Sequence, residues 1–347
     1  MRLYILLLVV GATTIAADED DKKTAKFITD VFNGSAVNMI DLNNFFHNAV
    51  TSGGAGEKKE CGWDNPDIKN YTTPSTGQTS PIASYGDFPW MVALMRKTDD
   101  SGVWAQSDYL GGATLIHPSA VITVAHKFTV KKKKLQPNEL KCRAGEYDTQ
   151  STLEPHAAQE RDVAKYFIHE EYYRTSLYND IALVILATPF DLSVPHIATG
   201  CLAKDVPADK YNCFSMGWGL DFNNKKKNAV ILKKEPLKFV EHNRCEDMLI
   251  KRTRFGVSGR GIFKLHESFV CADGEKGTCR GDGGSPLVCP VTNKDGKTRY
   301  AVYGLVAYGV SCGNPLIPGM YTNVPKLRGW IDKKMKQEDF DDAYYTL

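Results

Sequence analysis

Gly281-Asp282-Gly283-Gly284-Ser285-Pro286-Leu287 is the stretch on which the reading of this chain turns, and it has two upstream companions, Thr123-Val124-Ala125-His126 and Asn179-Asp180-Ile181-Ala182-Leu183. Taken singly they carry little, because a His after Ala or an Asp before Ile is ordinarily a strand-end residue. Around them lie Gly86 with Pro89-Trp90, Gly217-Trp218-Gly219 after Cys213, Tyr308-Gly309 and Pro318-Gly319-Met320-Tyr321. From Pro89 onward short β-branched runs recur between turn signals: Trp90 to Met95, Ala113 to Ile116, Val121 to Val124, Ile181 to Leu186, Val230 to Leu232 and Tyr300 to Tyr308. Regular short strands of this kind predict an all-β barrel or sandwich. Leu327, Trp330, Ile331 and Met335 fall at helical spacing after Pro325, which predicts a terminal amphipathic helix on that body.

In this order and at these separations, the three segments and their flanks resemble the chymotrypsin-like serine proteases, from about residue 86 to residue 334. The resemblance implies two antiparallel six-stranded β-barrels with a C-terminal helix. It also implies an active-site cleft between the barrels, with His126 and Asp180 from the first and the Gly281 loop from the second. In that chemistry a Ser hydroxyl attacks the carbonyl, a His takes its proton, a buried Asp fixes the imidazole tautomer, and two backbone N–H groups hold the oxyanion. By the match, His126 is the base position, Asp180 the orienting position and Gly283 the nucleophile position, with the N–H groups of Gly281 and Gly283 as the oxyanion donors. Gly283 has no side chain. Loss of the nucleophile from such a triad costs on the order of 10⁶ in turnover. Ser285 stands two residues further on, a displacement of several ångströms in a chemistry that tolerates about one, so it is not expected to substitute.

Other positions depart from the family pattern in the same direction. The disulfide beside the family's catalytic His is replaced by Lys127 and Leu110, which reads as tolerated drift because both partners go together. The Ser that usually supports the buried Asp is Ala307. The specificity-pocket positions fall at Gly277, Gly309 and Gly319, and Gly277 at the base offers no carboxylate to select Lys or Arg. The family's activation cleavage follows a basic residue and frees a terminal ammonium that pairs with the Asp before the nucleophile. The corresponding stretch here, Gly77 to Ile82, has neither a basic residue nor the required terminus, so Asp282 is expected to lack that ammonium.

The resemblance also orders the nine cysteines. It implies the pairs Cys213–Cys289, Cys245–Cys271 and Cys279–Cys312, with Cys61–Cys201 tying an N-terminal light segment to the barrels as in clip-type arthropod proteases. Cys142 is then left over, as a free thiol or a bridge between chains. The variant Gly283-Gly284-Ser285 and the stretch Arg143 to Gln150 resemble the non-catalytic serine protease homologues of insects, relatives of the prophenoloxidase-activating cofactors. Only Cys61 precedes the barrels, so the six-cysteine clip module that many of those proteins carry is not expected.

Composition agrees with a globular chain: 347 residues, 42% hydrophobic, with 43 Lys+Arg against 41 Asp+Glu. A net charge of +2 gives no global reason to expect nucleic acid as partner. Arg2, the apolar run Leu3 to Val10 and the small residues up to Ala17 read as a signal peptide over residues 1–17, which predicts a secreted protein. No later run is long enough to span a membrane. Secretion makes Asn33 and Asn70 glycosylation candidates. Residues 18–60 read as a segment of short helices, 61–84 as a linker, 85–336 as the protease-like domain and 337–347 as a tail. No cofactor and no metal site are expected. Glu146 with Glu154 or Glu160 is a weak calcium candidate, and the run Lys131, Lys132, Lys133, Lys134 is a candidate polyanion or partner surface against the plainer reading of solvated loop charge.

The expectation is therefore a secreted, catalytically inactive serine protease homologue that works by binding, as cofactor, adaptor or regulator in an extracellular proteolytic cascade such as melanisation or innate immunity. The alternatives are a reproductive-fluid or structural binding protein of the same fold, or a hydrolase with an unusual nucleophile.

Overall fold

Alternating short strands build the molecule. The computed structural model describes residues 60–65, 68, 71, 78, 81–98, 104–130, 132–221, 227–253, 263–275, 277, 278, 280–292, 296–309 and 316–347. The signal-peptide and short-helix expectations, Asn33, Asn70, Lys131 and the Cys279–Cys312 pair lie outside these residues.

Strands β1 (Met91–Arg96), β2 (Tyr109–His117) and β3 (Ala120–Thr123) are followed by a two-residue hairpin, β4 (Thr129–Val130) and β5 (Lys133–Lys134), and then by β6 (Leu140–Ala144), β7 (Gln159–Ile168) and β8 (Ala182–Leu186). Six of them close a barrel in the order β1-β2-β3-β8-β7-β6. Val92, Leu94, Leu115, Val121, Val184 and Leu186 fill it. The same strands bury their other face, where Met91, Ala93, Met95 and Ile122 join Trp90 and Trp218 in a second core. Residues buried on both faces explain why these strands read as near-continuous apolar runs, each Leu, Ile or Val stabilising by about 1.5–3 kcal/mol.

The second barrel holds β10 (Cys213–Gly217), β11 (Lys233–Val240), β12 (Phe269–Asp273), β13 (Pro286–Thr292), β14 (Thr298–Tyr308) and β15 (Gly319–Asn323), closed by pairing of β13 with β14. A two-residue strand, β9 (Cys201–Leu202), adds to β14 in parallel, so this sheet is not wholly antiparallel. Two helices follow the strands: α1 (His242–Arg252), between β11 and β12, and α2 (Val324–Gln337). The Asn323 side chain caps α2 by accepting from Lys326 N–H, and Pro325 sits in its first turn.

One expectation needs adjustment. Val230 to Leu232 are not a strand. The Val230 and Ile231 N–H groups donate to Gln78 Oε1 and Leu232 N–H donates to Tyr147 O, so their hydrogen bonds go to irregular neighbours, and the strand begins at Lys233. The C-terminal residues pack back onto the body. Tyr345 is buried, Leu202 N–H donates to Tyr345 O, and Arg328 reaches Thr346 Oγ1.

Candidate functional site

β3 delivers His126 to the inter-barrel cleft on the 3₁₀ turn Ala125–Phe128. Asp180 precedes β8 and is fully buried. Its Oδ2 accepts from His126 Nδ1 at 2.6 Å and its Oδ1 from His126 N–H at 2.9 Å. The carboxylate therefore fixes both the imidazole and the turn that carries it, leaving Nε2 for the cleft. Thr322 on β15 donates to the Asp180 carbonyl at 2.8 Å, tying the second barrel to this corner. Ala307 supplies no donor to the carboxylate.

The loop before β13 completes the corner. Gly281 and Gly284 have φ of +98° and +90°, a backbone few side chains accept. Gly112 N–H in the first barrel donates to Gly283 O at 3.0 Å, which brings Gly283 beside His126. A Cβ built on Gly283 would stand 3.3 Å from His126 Nε2. It would also stand 2.8 Å from both Cε and Nζ of Lys127, tighter than real Cβ atoms approach. A Cβ on Gly111 would come within 2.6 Å of Lys127 Cε. Lys127 is thus seated between Gly111 and Gly283. A side chain at 283 would require the flexible end of the lysine to shift. Burial lowers its amine to about pH 8, with Asp282 and Asp180 opposing the fall.

Ser285 is fully buried, and its hydroxyl lies against the Gly112 backbone, where an added Cβ would be 2.1 Å away. It makes no hydrogen bond to His126. Gly309 and Gly319 are placed with Gly277 around Thr278 and Tyr321. A Cβ on Gly309 would meet Thr278 O at 3.6 Å, one on Gly319 would meet the Tyr321 ring at 3.2 Å, and Thr278 Oγ1 lies 3.4 Å from the Tyr321 hydroxyl. Gly277 faces open space with φ of +65°.

Asp282 pairs with an ammonium from inside the chain rather than with a freed terminus. Lys233 Nζ lies 2.7 Å from Asp282 Oδ2 with both side chains 2% exposed, and Gly219 N–H donates to Oδ1 at 2.9 Å. Residues 81–83 pack alongside: Ile82 bridges to Lys233, and Lys234 N–H donates to Pro81 O. The inward alternation of Lys233, Glu235, Leu237 and Phe239 on β11 was the signal available for this buried lysine.

The calcium expectation also fails on geometry. Arg143 Nε contacts Glu146 at 2.6 Å and its Nη1 contacts Glu160 at 3.1 Å, so a guanidinium stands where a cation would, while Glu154 accepts from Asp148 N–H. Among the described residues no cluster of three metal-ligating side chains occurs, and no helix is long and apolar enough to cross a membrane. Disulfides join Cys61 to Cys201, Cys213 to Cys289 and Cys245 to Cys271. Cys142 is free but fully buried, its thiol pushed up to about 12, so it is not placed to bridge chains. In the lysine run, Lys133 pairs with Glu139 at 2.8 Å and Lys134 lies over the Tyr166 ring.

A profile of the trypsin family matches residues 78–331, the span that holds both barrels and the cleft. The chain belongs to the trypsin family. Trypsin-family relatives include phenoloxidase-activating factor 2 of Galleria mellonella, 40% identical over 299 residues that cover 84% of this chain and 93% of the relative. Inactive CLIP domain-containing serine protease A3 of Aedes aegypti is 36% identical over 78% of this chain, which spans about half (53%) of that protein. Inactive CLIP domain-containing serine protease A8 of Anopheles gambiae is 35% identical over 78% of this chain and 70% of its own length. This trypsin-family chain is thus similar to proteins named as inactive and to one named as an activating factor.

Proposed function

We propose that the protein is a secreted, catalytically inactive serine protease homologue that acts by binding, as a cofactor or adaptor in an extracellular protease cascade of the kind that activates phenoloxidase. The observation that carries this reading is Gly283 beside an intact His126–Asp180 pair, with the Lys127 amine in the room a nucleophile's side chain would need. The base and its orienting carboxylate have nothing to deprotonate there, and without a nucleophile no acyl-enzyme forms. Three disulfides suit an oxidising compartment, which supports secretion. Protein partners are better supported than a polyanion, because two of the clustered lysines already engage Glu139 and Tyr166.

The test has two arms. Purified protein should take no label from a fluorophosphonate probe and turn over no peptide substrate. Added to a reconstituted mixture of an activating trypsin-like protease and prophenoloxidase, it should raise the phenoloxidase activity produced. A product activity that does not change with its concentration would refute the cofactor reading.

A further inference from the structure

Lys127 carries its charge into the cleft without a counter-ion. Among the described residues its amine makes no hydrogen bond and no ion pair, and the charged groups that act on it are Asp282, Asp180 and Arg280. Both carboxylates are committed elsewhere, Asp282 to Lys233 and Asp180 to His126. Lys127, Lys233 and Arg280 against Asp180 and Asp282 leave the cleft with a positive excess even when His126 is neutral.

Two backbone donors of the Gly281–Gly283 loop are open, and the one at Gly283 adjoins this ammonium. The N–H groups of Gly281 and Gly283 have no acceptor among the described residues. The Gly283 nitrogen is about 2.5 Å by bond geometry from the point where a Cβ would stand. Lys127 Nζ lies 2.8 Å and His126 Nε2 lies 3.3 Å from that same point. An open Gly283 N–H beside a part-desolvated ammonium makes an anion site, and leaving such a donor unmet is costly.

An extended chain could reach the site along the sheet. β13 begins at Pro286, opposite Leu305, and Val306 is taken by Gly284 and Ser285. Ala307 and Tyr308 continue past the end of β13, with Tyr308 42% exposed, which among the described residues leaves a sheet edge for strand addition. A peptide laid on that edge can end at Gly283 only if its terminal group replaces the volume and charge of an attacked carbonyl. A planar carboxylate does so, with one oxygen for the ammonium and one for the backbone donors.

We propose that the vacated cleft is a receptor for the free C-terminal carboxylate of a peptide chain, held by the Lys127 ammonium and the Gly281 and Gly283 N–H groups. Such an end is the new terminus that a protease leaves on the N-terminal product of its cut. The proposal rests on the non-catalytic reading of Gly283, but not on any particular cascade. The experiment compares N-acetyl-Ala-Ala-Phe bearing a free carboxylate with its C-terminal amide by calorimetric titration of the full chain, with the peptides assayed for cleavage in parallel. The acid should bind at least tenfold more tightly at pH 7. Lys127→Met should abolish that preference and Lys127→Arg should retain most of it. Because burial lowers the lysine to about 8, the preference should shrink as the pH rises to about 9.5. His126, Asp180, Asp282 and Arg280 are the other titratable or charged groups facing the amine.

Equal binding of acid and amide, no binding of either at millimolar concentration, or a preference that survives Lys127→Met would overturn the proposal. Acetate that binds as tightly as the peptide acid would show a bare anion site and overturn the peptide assignment. Cleavage of the amide would instead overturn the non-catalytic reading, so the two failures are distinct.

Discussion

Lys127→Met tests the energetic side of this arrangement without any ligand. A fall from 10.5 to about 8 on folding corresponds to roughly 3 kcal/mol against the charged form, at 1.36 kcal/mol for each tenfold change. The amine is only half-buried, so solvent screening reduces the cost to about 1–2 kcal/mol. The sign follows from proton binding. Below about pH 8 native and unfolded chains both hold the proton, and the native state bears the full cost. Between about 8 and 10.5 the unfolded chain binds more protons, so this contribution to stability rises with pH, and above 10.5 the cost is gone. Methionine keeps the unbranched stem between Gly111 and Gly283 and removes the charge. The variant should therefore be about 1–2 kcal/mol more stable at pH 7, and the gap from wild type should close as the pH approaches 10.5. Urea midpoints under non-reducing conditions at several pH values measure it, and titrations common to both proteins cancel in the difference. A variant less stable at pH 7, or a gap that ignores pH, would refute the reasoning.

Gly283→Ser alone should gain no fluorophosphonate label, because the new side chain collides with Lys127 and the pocket still carries Gly277 and Ala307; strong labelling of that single variant would show the lysine to be an easily displaced obstacle. Lys233→Met should cost about 3–5 kcal/mol by leaving Asp282 buried without its partner, and unchanged thermal stability would remove the pair from the account. Chain cut between residues 66 and 80 should stay one species on a non-reducing gel and separate only with reductant, since Cys61–Cys201 spans the cut; separation without reductant would contradict that bond.

The barrels and the His126–Asp180–Gly283 corner were legible because their signals are local: apolar runs between turns, and short segments in a fixed order. Strands such as β7 were not, because its sequence is largely charged and half-exposed, and hydrogen bonding to β6 and β8 rather than burial defines it. α1 escaped notice because it buries only Cys245 and Leu249. The two decisive lysines were hidden for a different reason. A lysine ordinarily sits at the surface, and what draws Lys127 and Lys233 inward is distant in sequence: glycines at 111 and 283 for one, a carboxylate at 282 for the other. The same holds for Arg143, whose partners Glu146 and Glu160 look like a cation site until the arginine between them is located.

The two lysines act on one loop in complementary ways. Lys233 supplies from within the chain the cation that the family pattern draws from a freshly cut terminus, and so holds Asp282, and with it the backbone at Gly281 and Gly283, without any requirement for cleavage. Lys127 then occupies the space that this loop shapes. Losing one partner of a buried ion pair is strongly destabilising, so stability alone accounts for Lys233 beside Asp282, whereas no such partner accounts for the half-buried charge of Lys127 beside it. Both fit the proposed binding cleft, with donors fixed in place by one lysine and a ligand charge met by the other. On the proposed reading Gly283 leaves room for the Lys127 amine, which would meet the charge of a bound carboxylate.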